Sequence, residues 1–181
     1  MKITQKINSK MFREYDLRGV FGVDINEDVS YTIGKSFGTY IQNMGEDTTI
    51  IGHDNRNSSP TINKALIQGI IDTGINVISL GLVTTPMYYF ARKHYNLNTG
   101  IMITASHNPK EHNGYKVYDD TGCQLLPEAA DQVVQYVNEV EDELNIIENN
   151  EGVDDAPSID DALRDLMVTK RLELTDDMKD E

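Results

Sequence analysis

Between residues 27 and 44, apolar side chains fall at Val29, Ile33, Phe37, Ile41 and Met44. Steps of three or four residues set them on one stripe of a helix. The next apolar run, Thr48-Thr49-Ile50-Ile51-Gly52, is short and β-branched, which predicts a buried strand stopped by its glycine. Helical spacing returns in "SSPTINKALIQGIIDTG" (58–74), with Ser59 as candidate cap, Pro60 in the first turn and Gly74 as the stop. "NVISLG" from Asn76 predicts a second strand, "TPMYYFARKHYN" from Thr85 a third helix opened by Thr-Pro, and "GIMITA" (100–105) a third strand. "GYKVY" (114–118) predicts a fourth strand, followed by a "DDTG" turn. Residues 126–144 predict a last helix with Val133, Val137 and Val140 on one face.

Helices alternating with short apolar strands imply an α/β fold. The expected form is a three-layer α/β/α sandwich around a mixed, largely parallel four-stranded sheet. In such sheets ligands gather at loops beyond the carboxyl ends of the strands. Both "GHDNRNSS" (52–59) and "TASHNP" (104–109) fall at such ends.

Charge divides the chain. Residues 1–138 carry 14 acids and 12 bases, whereas residues 139–181 carry 16 acids and 4 bases. A nearly neutral body is thus followed by a tail with a balance of −12. The overall −14 argues against nucleic acid and against an anionic membrane surface as partners. The sequence contains neither a signal-peptide core nor an apolar run long enough for a bilayer, so a cytoplasmic protein is expected. The single cysteine, Cys123, cannot form an internal disulfide. From Asn149 the stretch "NNEGVDDAPSIDD" reads as a solvated linker, with a short helix suggested at Ala162, Leu163, Leu166 and Met167. The expected division is a body over 1–145 and an acidic segment over 146–181.

Ser106 raises the question of chemistry. A serine hydroxyl is a weak nucleophile unless its surroundings activate it, and here His107 is adjacent and Asn108 offers a hydrogen bond. Successive N–H groups of such a loop can cradle an anion. Ser, Asn and Pro are equally the residues of an ordinary turn. A Ser-His-Asp hydrolase is disfavoured, because no Gly-x-Ser-x-Gly elbow is present. Arg13 and Arg18 suit phosphate recognition through their fork geometry, or else lie in a charged loop with Asp16 and Arg18 as a solvated pair. Lys116 would serve as a proton donor or acceptor in a suitable environment, or face outward from its strand. His53, Asp54 and Arg56 read as a polar loop capping a helix.

Together, "FREYDLRGVFG" (12–22), "GHDNRNSSP" (52–60), "GLVTTPMYYFA" (81–91) and "GIMITASHNPKEHNGYKVY" (100–118) resemble the first domain of the α-D-phosphohexomutases. Within that superfamily they are similar to the phosphomannomutase/phosphoglucomutase group. Tyr15-Asp16-Leu17-Arg18-Gly19 looks like that group's form rather than the Gly-Thr-Asp-Gly-x-Arg-Gly of phosphoglucosamine mutases. His53 stands where the family often has arginine.

The resemblance implies that Ser106 is carried as phosphoserine and exchanges its phosphoryl group with a hexose phosphate, glucose or mannose 1- or 6-phosphate, through a bisphosphate. A phosphoserine oxygen would ligate Mg²⁺. By the same resemblance, His107 and Lys116 match positions of proton transfer or charge stabilisation, and Arg18 matches the arginine near the phosphoserine. Tyr15 and Asn108 match positions shaping the site, and Arg13 joins Arg18 in neutralising charge. Family members have four domains. The later metal loop (Asp-Gly-Asp-Gly-Asp-Arg), the sugar-reading Gly-Glu-x-Ser-Gly-His and the phosphate-binding Arg-x-Ser-Gly-Thr-Glu-Pro are not found in this sequence. The chain is therefore expected to supply only the serine domain and to need domains II–IV. The alternative is a non-catalytic module that binds phosphosugars or a protein, with an acidic interaction tail.

Overall fold

A computed structural model describes residues 7–13 and 16–118. In chain order the elements are a 3₁₀ turn (Ser9–Met11), β1 (Leu17–Val20), α1 (Glu27–Asn43), β2 (Thr48–His53), α2 (Ser59–Ile71), β3 (Asn76–Leu82), α3 (Thr85–His94), β4 (Gly100–Ile103) and β5 (His112–Tyr118). The last helix, the terminal helix, Cys123, Tyr15 and the expected boundary at 145/146 lie outside the described residues.

Helix α1 starts where Asn26 accepts the Val29 N–H through its side chain, with Glu27 and Asp28 in the first turn facing the helix dipole. Val29, Ile33, Phe37 and Ile41 are buried as their spacing predicts, while Met44 becomes the half-buried C-cap. Helix α3 is capped by Thr84, and Arg92, Lys93 and His94 complement its C-terminal dipole. At α2 the residue in the cap position is Ser58, and it makes no side-chain capping bond. The Ser59 hydroxyl instead donates to Asp54 Oδ1 at 2.7 Å. The expected serine cap is thus replaced by a tie to the preceding loop.

The sheet has five strands in the order β1-β5-β4-β2-β3, one more than the sequence suggests. The extra strand is β1, whose "LRGV" carries too little apolar signal to stand out from a loop. Its edge position and pairing with β5 make it a strand. β2 pairs in parallel with β3 and β4, while β5 runs antiparallel to both β4 and β1. Four strands therefore point one way and β5 alone is reversed.

The right-handed crossovers β2-α2-β3 and β3-α3-β4 move in opposite directions along the sheet and so put α2 and α3 on opposite faces. Strand alternation sorts the side chains accordingly. Ile50, Met102 and Tyr118 pack with Tyr88 of α3. On the other face Tyr115 meets α1, with its hydroxyl 2.7 Å from Ser30 Oγ. Burial raises the Tyr115 phenol well above its ordinary value, so it stays neutral in this contact.

Gly52 does not stop its strand, which continues through His53. A Cβ there would lie 2.7 Å from Val83 Cγ2 and 3.2 Å from the Tyr88 ring. A Cβ on Gly100 would meet the Tyr88 hydroxyl at 2.3 Å. Both glycines are seats for one fully buried ring, whose burial contributes roughly 1.5–3 kcal/mol.

Helices α1 and α2 approach equally closely. A Cβ on Gly34 would lie 2.2 Å from the Leu66 carbonyl oxygen, and one on Gly69 would lie 2.1 Å from that of Tyr31. Gly69→Ala should therefore destabilise the fold by about 1–3 kcal/mol through overpacking against backbone. This outweighs the roughly 1 kcal/mol that alanine gains over glycine within a helix. Urea unfolding followed by circular dichroism checks the sign, and an unchanged or raised midpoint would contradict the packing argument.

Candidate active site

The connection between β4 and β5 carries Ser106. Ala105 to Asn108 forms a β-turn closed by the Asn108 N–H on the Ala105 carbonyl at 3.0 Å. Ser106 sits second in that turn with φ +57°, in the left-handed region that an L-residue other than glycine seldom adopts. Its own N–H donates to Thr104 Oγ1 at 2.9 Å. The side chain is exposed.

Two arginines fix this turn. Arg18, on β1 rather than in a loop, donates from Nη1 to Asn108 Oδ1 at 2.9 Å. Its Nε and Nη2 both reach Asp16 Oδ2, at 2.7 and 2.6 Å. This is no solvated pair, since the side chains are only 17% and 11% exposed. Gly114 faces Arg18 across the ladder, and a Cβ there would crowd Arg18 Cα and Cγ at 3.2 Å. The glycine thus lets Arg18 lie across β5 toward the serine turn. Among the described residues, one Arg18 Nη2 hydrogen has no acceptor.

Arg56 grips the other side. Its Nη1 donates to the carbonyls of Pro109 at 2.7 Å and His112 at 3.1 Å. Its Nη2 donates to those of Ser106 at 3.0 Å and Asn108 at 2.8 Å. Nε bonds Asp54 Oδ2 at 3.1 Å. Asp54 in turn donates its N–H to the Ile103 carbonyl at the end of β4 and accepts the Ser59 hydroxyl. Fully buried Asn113 on β5 completes the link, donating to Ser58 and Ser59 Oγ. The loop read from sequence as a helix cap is therefore the clasp of the serine turn. Arg56 was missed as a site residue because its partners are main-chain carbonyls, which leave no residue pattern. Its position at the end of a strand was the available signal.

The other expected residues are distributed as follows. His107 is exposed beside Ser106. Lys116 is half-buried on β5, opposite Met102 and on the α3 face, the same face as Arg18. Arg13 is exposed, and its N–H bonds the Asp16 carbonyl at 2.9 Å; its side chain has no contact with the turn among the described residues. The Nδ1–H of His53 donates to the Asp54 carbonyl at 2.8 Å, a backbone bond at the base of the clasp. A groove of about 540 Å³ borders the serine, lined among others by Asn55, Arg56, Ser106, Asn108 and Lys110. Among the described residues, no three His, Cys, Asp or Glu side chains cluster to hold a metal ion, and the Asp54 carboxylate is already engaged. These residues do not by themselves fit a Mg²⁺ site.

The backbone at Ser106 yields a stability test. A left-handed serine costs about 1–2 kcal/mol relative to a relaxed conformation, and glycine removes that penalty. Ser106→Gly should therefore raise stability by up to about 1 kcal/mol, since no buried contact of the serine side chain is lost. A shift of the urea midpoint to lower concentration would count against the strained turn.

Residues 9–144 match the family described as "Phosphoglucomutase/phosphomannomutase, alpha/beta/alpha domain I". The chain is 40% identical over 119 residues to a probable phosphoglucosamine mutase of Thermococcus gammatolerans, covering 66% of this chain and 26% of that protein. It is 39% identical over 109 residues to the phosphomannomutase/phosphoglucomutase of Pseudomonas aeruginosa, covering 60% and 24%. The two names occur at nearly equal identity. A crystal structure of a phosphoglucomutase/phosphomannomutase family protein from Burkholderia thailandensis superposes with a TM-score of 0.70 at 29% identity, covering 75% of this chain and 31% of that one. The chain thus spans about a quarter of the length of the curated relatives it matches. The sheet, the serine turn and both arginines fall inside the matched segment, and the chain belongs to the phosphoglucomutase/phosphomannomutase family through its domain I.

Proposed function

We propose that this chain is the phosphoserine domain of a phosphohexomutase, with Ser106 as carrier of the phosphoryl group between the C1 and C6 hydroxyls of a hexose phosphate. The observation that carries the reading is an exposed serine held in a left-handed turn between two arginines. The names of the relatives point to glucose, mannose or glucosamine phosphates as the substrate class.

In the first transfer the bond from phosphorus to Ser106 Oγ breaks as a sugar hydroxyl oxygen bonds to phosphorus. The hydroxyl proton passes to a base, and Oγ recovers a proton. The second transfer is the reverse, taken from the other phosphate of the bisphosphate, and it restores phosphoserine. Such chemistry depends on positioning and on neutralising charge spread over the phosphoryl oxygens. Arg18 meets the second need with its remaining Nη2–H. His107, next to the serine, and Lys116, on the same sheet face as Arg18, are the proposed proton carriers. Arg13 and Tyr15 are assigned to the approach of the substrate phosphate. A Mg²⁺ ion on a phosphoserine oxygen would need its other ligands from outside the described residues, in keeping with a domain that works beside others.

With the chain joined to the family's domains II–IV, incubation with glucose 1,6-bisphosphate and Mg²⁺, followed by phosphopeptide mass spectrometry, should place the label on the Ser106 peptide and lose it in Ser106→Ala. Label on another residue would refute the assignment. The purified 181-residue chain should show negligible turnover of glucose 1-phosphate. Robust turnover would refute the division of labour between domains, and phosphosugar binding without labelling would favour a binding module.

A further inference from the structure

Every N–H of the Arg56 guanidinium is spent on protein oxygen. Five donors meet five acceptors: Asp54 and the carbonyls of Ser106, Asn108, Pro109 and His112. An arginine so saturated has no donor left for a phosphate. Its effect on the loop is nevertheless large. In a trans peptide the N–H points opposite to the carbonyl of the preceding residue. Fixing the Ser106 carbonyl on Arg56 therefore turns the His107 N–H away from it. Fixing the Pro109 carbonyl does the same for the Lys110 N–H. Neither N–H has an acceptor among the described residues, and Asn108 is followed by proline, which has no N–H to turn.

We infer that Arg56 is a positioning residue for the phosphoryl group. It gathers the loop's carbonyl oxygens on its own side and leaves the N–H groups of His107 and Lys110 facing outward as a seat for phosphoryl oxygen. Carbonyl oxygens turned outward would repel the same anion. Charge alone does not reproduce the device, because four carbonyls and one carboxylate need a planar five-donor fork. A lysine in the same place offers three donors at one point. The inference rests on the reading of Ser106 as phosphoryl carrier, although the test below uses free phosphate and does not require Ser106 to be phosphorylated.

The test is a titration of the full chain with inorganic phosphate, followed by ¹H–¹⁵N NMR. In the unaltered protein the His107 and Lys110 amides should shift saturably while the Arg56 Nε–H stays in place. Movement of Arg56 Nε–H with both amides silent makes Arg56 a phosphate ligand and overturns the assignment, with no need for any variant to fold. Arg56→Lys should weaken phosphate binding by about tenfold or more, the scale of losing hydrogen bonds to a charged group. Arg56→Ala should recover binding when millimolar guanidinium enters through the bordering groove. Undiminished binding in Arg56→Lys contradicts the fork argument, and so does a folded Arg56→Ala that guanidinium leaves unchanged. If these shifts occur but Ser106 is never labelled by bisphosphate, the carrier reading falls and the clasp stands. If Ser106 is labelled but the shifts are absent, the clasp falls alone.

Discussion

One planar cation holds the site together. Arg56 is seated on Asp54 at the carboxyl end of β2, and from there it reaches three carbonyls of the β4–β5 connection and that of His112 at the start of β5. Each bond to a charged donor contributes roughly 1.5–3 kcal/mol, and together they set the course of a segment that contains little apolar surface of its own. The left-handed serine, the Arg18 contact on Asn108 and the bordering groove all depend on that course. Asp54 is as necessary as Arg56, because a guanidinium without its carboxylate would carry uncompensated charge beside the sheet.

Much of the fold was legible in the sequence. The α1 stripe from Val29 to Ile41 and the Thr-Pro opening of α3 are local signals, and each produced its element. β1 was not legible, because an edge strand of Leu-Arg-Gly-Val owes its existence to a partner about a hundred residues away. Gly52 was misread for a related reason. Glycine as a stop and glycine as a seat for a ring look identical until Tyr88 arrives from another element.

The site divides along the same line. Ser106, His107, Asn108, Lys116 and Arg18 stood out as residue types in a telling order. Arg56 did not, since main-chain oxygens carry no letter in the sequence. Nor did the φ of +57°, because serine has no preference that announces a left-handed turn. Residue types and their order were readable, and the backbone geometry that places them was not.

The reversal of β5 has a consequence for how the serine behaves. In a sheet of parallel strands a strand-end loop leads into a helix and is tethered on one side by the ladder. Here both flanks of the serine connection are strands that pair with each other, from Ile103↔Tyr115 to Gly100↔Tyr118. Ser106 is suspended between two anchored ends, with a cation drawing the middle of its connection inward. The conformational entropy of holding the Ser106 hydroxyl in place, which a free loop would lose anew at each encounter with a partner, is here surrendered once, when the sheet forms.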